Sequence, residues 1–351
     1  MTPIRSIIVA TDFSASALHA AHRAARLARR FDARLAVVHV LNPARFKALR
    51  NWFAPPVDLE SALLDAQARL GGLAAELMQV HALQATVDLR TGNTVEELAL
   101  ASAHANLVVM GQRRRGPLAE RVLGSTARQL VEACRRPMLV VKQAAVADYS
   151  RLLVPIDLSP GSAAAALAAG ALAPEGRMQI FHAYEFSGNV VPQSNEVRDA
   201  VIRDEQARRE AGLVARMRRS MARIGLDSRN MSFALGRGSR ITATLRQAEL
   251  LRADLIVAAT TRRARTAASV LDSVNGLLAR SSCDMLIVPG GVPEPRPVQG
   301  PARWPPVDDA ALERARAAGE QGWRAPSWPS PLMPTATFEA DRGRPPIGAG
   351  T

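Results

Sequence analysis

Gly111-Gln112-Arg113-Arg114-Arg115-Gly116 is followed eight residues after its last glycine by Gly124-Ser125-Thr126. The apolar run Leu107-Val108-Val109-Met110 leads into this segment and a stretch of helical period leaves it. A strand that passes through such a loop into a helix puts the loop at the carboxyl edge of a parallel sheet, where open α/β folds bind their ligands. Gly124 permits close backbone approach, while Ser125, Thr126 and the free amides of the helix start offer donors to an anion. Triphosphate binding is a natural use of these groups. The spacing is not that of a Walker loop, which needs Lys followed by Ser or Thr after its second glycine. Asp12 closes the run Ile7-Ile8-Val9-Ala10-Thr11 on the same edge. A carboxylate there can orient a ribose hydroxyl or hold a metal that bridges phosphates, or it can cap its own turn. Ser125 and Ser273 lack the Gly-x-Ser-x-Gly context of a nucleophile elbow, and no two carboxylates fall in matching loops for acid and base work. This chemistry is that of a binding protein rather than an enzyme, with at most slow, incidental hydrolysis.

The elements that would position these residues occur twice. Ile7 to Asp12 returns as Leu152-Leu153-Val154-Pro155-Ile156-Asp157, and Asn106 to Gly111 as Asp254-Leu255-Ile256-Val257-Ala258-Ala259, at offsets of 145 and 148. A period this long is a tandem duplication and not a solenoid. In the first copy, short β-rich runs alternate with helical segments, the mark of a parallel sheet with crossover helices. Strands are expected at Ser6 to Thr11, Arg34 to Val40, Ala85 to Arg90, Leu107 to Gly111 and Met138 to Lys142. Helices are expected over Ser14 to Phe31, over Leu59 to Val80, after a Thr94/Glu97 capping box, and from near Ser125. The second copy repeats the order, with strands at Leu152 to Ile156, Gln179 to Ala183, Asn230 to Ala234, Leu255 to Ala259 and Met285 to Pro289. Ser159 with Pro160 supplies an N-cap and a first helical residue. A long, charge-laced helix is expected over Asn195 to Ile224.

Composition bounds the reading. The net charge is +13, yet Lys47 and Lys142 are the only lysines among 45 basic residues, which points to a compositional bias toward arginine spread over solvated faces. No nucleic-acid motif accompanies that charge, so nucleic acid is not the expected partner. No run reaches the roughly 18 apolar residues a membrane span needs, and the start of the chain shows no charged and apolar leader, so a cytoplasmic protein is expected. Cys134 and Cys283 lie before the last strand of each copy and read as small buried hydrophobes. Residues 292–351 hold 12 of the 23 prolines and three of the four tryptophans, which predicts a disordered or partner-dependent tail. Trp304, Trp323 and Trp328 are its candidate anchors on an unidentified protein partner. His19 and His22 have metal-capable spacing but no third ligand nearby in sequence. His39 and His182 occupy matching places in both copies and read as serving the fold. The basic aromatic loop Arg45 to Phe53 reads as packing against the second helix.

The arrangement resembles the universal stress protein family. The likeness rests on the strand ending in Asp12, on Val38-His39-Val40, on Leu107 to Gly111, on Gly124-Ser125 before a helix, and on Pro137-Met138-Leu139-Val140-Val141. The resemblance implies a five-stranded parallel sheet with four helices, of Rossmann-like or adenine-nucleotide alpha hydrolase-like type, in cytoplasmic stress adaptation. It also implies ATP, with Mg2+, held through Gly-x2-Gly-x9-Gly-Ser/Thr, and a nucleotide pocket lined by the aspartate after strand one and the backbone at the end of strand two, here Asp12 and Val40. The middle glycine position is Arg114, which can clamp a phosphate or fill its space. In the second copy Ala259, Arg262 and Asp272 stand at the three glycine positions, and Asp272 would set a negative charge where phosphate belongs.

The expectation is therefore two tandem α/β domains, 1–146 and 150–291, closed on each other as an intramolecular pseudo-dimer, with a tail over 292–351. The first binds ATP through Asp12, Val40, Gly111, Arg114, Gly116, Gly124, Ser125 and Thr126, and the second is structural or regulatory. The alternative is a protein-interaction module that binds no nucleotide and acts through its surface and tail.

Overall fold

The computed structural model describes residues 3–43, 59–112, 125–184, 196–226, 229–261 and 267–290. Arg114, Gly116, Gly124, Arg262, the loop Arg45 to Phe53 and the whole expected tail lie outside these residues.

The first half runs β1 (Ser6–Ala10), α1 (Ala15–Phe31), β2 (Arg34–Leu41), α2 (Leu59–His81), β3 (Ala85–Thr91), α3 (Thr94–Ser102), β4 (Leu107–Gly111), α4 (Ser125–Ala133) and β5 (Met138–Val141). The second runs β6 (Arg151–Pro155), α5 (Pro160–Leu172), β7 (Arg177–Tyr184), α6 (Glu196–Ala222), β8 (Met231–Arg237), α7 (Arg240–Leu251), β9 (Leu255–Thr261), α8 (Ala267–Arg280) and β10 (Asp284–Gly290). Each half is a five-stranded parallel sheet, as the alternation of strand and helix requires. The strands read as nearly unbroken apolar runs because helices cover both faces. One core lies under α1, α2, α5 and α6 and the other under α3, α4, α7 and α8, and each runs through both halves. Ala20, Ala21, Ala24, Ala25 and Ala28 are wholly buried on α1, whose small side chains let it lie close against the strands.

Strand order across the molecule is β3-β2-β1-β4-β5-β10-β9-β6-β7-β8. The halves join edge to edge through antiparallel pairing of β5 with β10, Met285 facing Val140, Leu286 facing Leu139 and Ile287 facing Met138. The joint removes two sheet edges that would otherwise stay open.

Asp284, 2% exposed, anchors one end of this joint. It accepts hydrogen bonds from the Tyr149 hydroxyl at 2.6 Å and the Lys142 amide at 2.8 Å, and its carboxylate lies 3.7 Å from Arg23 Nε. The Arg23 guanidinium stacks over Tyr149 at 4.3 Å and donates to the Ala147 carbonyl at 2.6 Å. Lys142 Nζ donates to the Leu278 and Ser281 carbonyls at 2.7 and 3.1 Å, and Arg26 and Arg30 grip Asp148. The connecting segment is thus strapped to both halves. Burial holds the Asp284 carboxyl above the usual carboxylate range despite these donors, and it pushes the Tyr149 hydroxyl up as well.

Two local expectations need correction. The third helix is capped by Asn93, whose side chain accepts from the Val95 amide at 3.0 Å, and not by Thr94. An Asn at this place reaches the second helical amide, so Thr94 becomes the first helical residue and Glu97 turns to Arg90 at 3.3 Å. Ser159 occupies the N-cap ahead of Pro160, but its hydroxyl makes no capping bond.

Removing a partner from a buried charged cluster leaves the others uncompensated. Asp284→Ala is expected to lower the unfolding free energy by about 3 kcal/mol or more. Tyr149→Phe removes one hydrogen bond and should cost about 1 to 2 kcal/mol. Urea denaturation of the two variants reads both effects.

Candidate functional site

Strand order reverses between β1 and β4 in the first half and between β6 and β9 in the second, which places a crevice beyond the carboxyl ends of those strands. Thr11 and Asp12 leave β1 at this point, His39 and Val40 stand near the end of β2, and Gly111 closes β4. Asp12, Val40 and Gly111 therefore reach one edge of one sheet.

A tight turn carries β1 into α1. Phe13 adopts a left-handed backbone at φ 59°, the Phe13 amide donates to Thr11 Oγ1 at 3.0 Å, and the Ser14 amide donates to Asp12 Oδ1 at 3.0 Å. Ser14 then caps α1 by accepting from the Ala17 amide. Asp12 is exposed, and its Oδ2 makes no hydrogen bond or ion pair among the described residues. His39 Nδ1 lies 2.8 Å from the Thr11 carbonyl, which assigns the ring proton to Nδ1 and leaves Nε2 an acceptor in the neutral form. Burial lowers the His39 pKa, and the nearby Arg69 guanidinium pulls in the same direction. Phe13 lies against the His39 ring at 4.6 Å, and Arg69 from α2 covers the other ring, Phe13, at 4.5 Å. Phe13 and Arg69 carried no signal in the sequence, since only the chain reversal after Asp12 brings them together.

Gly111 answers to helix packing. A Cβ there would sit 2.2 Å from the Ser16 carbonyl oxygen and 2.8 Å from the Ala17 amide, so glycine is what lets β4 end against the first turn of α1. The next residue, Gln112, is 7% exposed, and its Oε1 is buried with no hydrogen-bond partner among the described residues. It was not singled out in the sequence. Thr126 is half-buried in the first turn of α4, which begins at Ser125.

The second half builds the same turn differently. Leu158 takes φ 62°, the Ser159 amide donates to Asp157 Oδ1 at 3.0 Å, and His182 Nδ1 lies 2.8 Å from the Ile156 carbonyl. Ser162, absent from the first half where Ala17 stands, donates to Asp157 Oδ1 at 2.8 Å and accepts from the Asp157 amide at 3.0 Å. Arg240 approaches Asp157 Oδ2 at 4.0 Å. Burial alone would raise the Asp157 pKa, but the bonds from Ser159 and Ser162 and the Arg240 charge bring it below the ordinary value. Beside this carboxylate the described residues enclose a cavity of about 40 Å³, bordered by Ser162, Arg240, Thr244 and Ser273. That is room for a water or two and far less than a nucleotide needs.

The remaining candidates lie apart from these turns. His22 Nδ1 meets His81 Nε2 at 2.9 Å while its Nε2 lies 3.1 Å from Glu76. Ring centroids 5.1 Å apart put the two nitrogens nearly in line, as in a hydrogen bond, and this chain of bonds is not one of ligands converging on a point: no group of three His, Cys, Asp or Glu side chains arranged to hold a metal ion is found among the described residues. His19 has no part in this chain of bonds. Cys134 and Cys283 are buried and free, and burial pushes the Cys283 thiol up to about 11. No described helix is long and apolar enough to cross a membrane.

A family model described as the Universal stress protein family matches residues 3–142 and 148–289. A universal stress protein of Mycolicibacterium smegmatis is 32% identical over 168 residues, which is 44% of this chain and 55% of that protein. A second from the same organism is 35% identical over 85 residues, 24% of this chain and 56% of that protein. The chain thus spans little more than half the length of these two relatives. Among solved structures, a universal stress protein from Archaeoglobus fulgidus aligns with a TM-score of 0.56 at 17% identity, over 82% of this chain and 96% of that one. A protein of unknown function from Pseudomonas aeruginosa aligns with a TM-score of 0.57 at 17% identity, over 91% and 98%. These two likenesses establish the fold.

Two outcomes follow from the geometry. Gly111→Ala forces β4 off α1 and should cost about 2 to 3 kcal/mol by urea denaturation. Because the Asp157 pKa is depressed in the folded state, its stabilising contribution is full above the unfolded value near about 4 and is lost as pH falls through the folded value. The melting temperature of Asp157→Asn should therefore lie below that of the parent at neutral pH, with the gap closing as the solution is acidified below about pH 4.

Proposed function

The chain belongs to the universal stress protein family, and from that premise we propose that its first half binds ATP with Mg2+ and that the second is a silent partner. The observation that carries this reading is the contrast between twin aspartates. Asp157 has its carboxylate engaged by Ser162, the Ser159 amide and Arg240, whereas Asp12 is exposed with one oxygen uncommitted among the described residues. A carboxylate at a strand-order reversal with a spare acceptor would offer it to a ribose hydroxyl. Val40, half-buried at the end of β2, would present backbone to the base.

Arg114, Gly116, Gly124, Ser125 and Thr126 would face the phosphates. Helix α4 begins at Ser125, so its free amides are available to anionic oxygens. Gly111 contributes by holding the end of β4 against α1, which fixes where the phosphate loop starts. No third carboxylate, histidine or cysteine gathers with Asp12 among the described residues, so Mg2+ would enter with the phosphates rather than occupy a site of its own. The protein would act as a nucleotide-binding component of a cytoplasmic stress response and not as an enzyme.

Calorimetric titration of Mg-ATP into the full chain tests this. Saturable binding near one site per chain is expected, abolished in Gly124→Asp, which copies Asp272 into the first half, and weakened at least about tenfold in Asp12→Ala, the loss of one charge-assisted hydrogen bond. Arg114→Gly separates a phosphate clamp, which loses affinity, from an obstruction, which gains it. The absence of heat and of a thermal shift at millimolar nucleotide would sink the reading in favour of a protein-interaction module.

A further inference from the structure

We propose that the joint between the halves is heterospecific: the β5 edge accepts a β10 edge and rejects a second β5, and β10 rejects a second β10.

Matching the halves by sequence sets Pro137-Met138-Leu139-Val140-Val141-Lys142 on Asp284-Met285-Leu286-Ile287-Val288-Pro289. The register of the joint maps onto itself when the two segments are exchanged, so the strands meet about a local twofold centred on Leu139 and Leu286. Apolar residues along both strands obey that symmetry. Their flanks do not. At one end the Lys142 amide donates to Asp284 at 2.8 Å, the Gln143 amide at 3.3 Å, and Lys142 Nζ reaches the Leu278 and Ser281 carbonyls. At the symmetry-related end Pro289 stands for Lys142 and Pro137 for Asp284, and a proline has no N–H to give.

This asymmetry decides which pairs are satisfied. Two β10 edges would set Pro289 against Asp284 at both ends. Each Asp284 would keep Tyr149 from its own half but lose the two amides and Arg23, leaving a buried carboxylate with a single donor. Two β5 edges would set Lys142 against Pro137 twice, with its amide short of the carboxylate it has here. Only the unlike pair joins the donor-bearing flank of one half to the acceptor-bearing flank of the other. The partner this surface fits is a half of the opposite type, whether from the same chain or a second copy.

The test keeps the whole chain. A protease site inserted between Ala145 and Val146, where Val146 is 87% exposed, lets the folded protein be nicked into its two halves. Ordinary and isotopically heavy nicked proteins are mixed in urea just below the unfolding midpoint, returned to buffer and weighed by native mass spectrometry. Exchange into light and heavy unlike pairs is expected, with like pairs below about one in fifty, given the roughly hundredfold or larger penalty of stranding a buried charge. Like pairs at the statistical quarter, half, quarter ratio would overturn the proposal. Asp284→Ala should raise second-half pairs at least about tenfold by removing the stranded charge. Asp284→Asn, which preserves shape while removing the charge, should move them the same way where Asp284→Ala fails to fold, and no rise in the variants that fold would overturn the role given to Asp284.

Discussion

Ten strands share one sheet here because two short edges, β5 and β10, are held antiparallel, and the polar contacts that pin this joint converge on Asp284. A carboxylate buried to that degree is tolerated only when hydrogen-bond donors surround it. Its donors come from the connecting segment, and the charge of Arg23, 3.7 Å away in the middle of α1, compensates it further. The segment cannot leave its course over the two halves without stranding the carboxylate. Both cores run through the joint, so packing on either side depends on its register.

Antiparallel joining has a geometric consequence for function. The carboxyl ends of the first five strands and those of the second five lie on opposite edges of the common sheet. No ligand can bridge the two crevices, and each half must satisfy or employ its own aspartate. The second half satisfies Asp157 internally with Ser162 and Arg240, beside a cavity with room for little more than water. The first half carries Ala17 where Ser162 would be and leaves Asp12 open. Duplication thus yields two copies of one turn, one closed by its own side chains and one exposed, without altering the strands beneath.

Much of the fold was legible because parallel strands covered on both faces read as short apolar runs and their crossover helices as alanine-rich amphipathic segments. β4 was expected over the residues it occupies; other strand ends moved outward where a pairing extended past the apolar core, as β2 does to Leu41 and β8 to Arg237, and inward by one residue at β1, β5 and β6. The site was legible only as a set of chain positions. Asp12, Val40 and Gly111 were recognisable as strand ends, but the reason for Gly111 was not, since the carbonyl it avoids belongs to Ser16 on another element. Phe13, Arg69 and Gln112 had no mark of their own, and His81, 59 residues from His22, could not be assigned as its partner from spacing.

The sequence by itself determined the duplication, the order of strands and helices within each half, and which residues stand at strand ends. Those properties follow from local periodicity, from turn chemistry and from comparing one half with the other. Tertiary structure decided which flank of the joint is polar, which aspartate is spoken for and why glycine ends β4. Each of these depends on contacts between residues far apart in the chain, as with Lys142 and Asp284 or Gly111 and Ser16. Burial and close approach set their energies, and neither quantity is defined until the chain is folded.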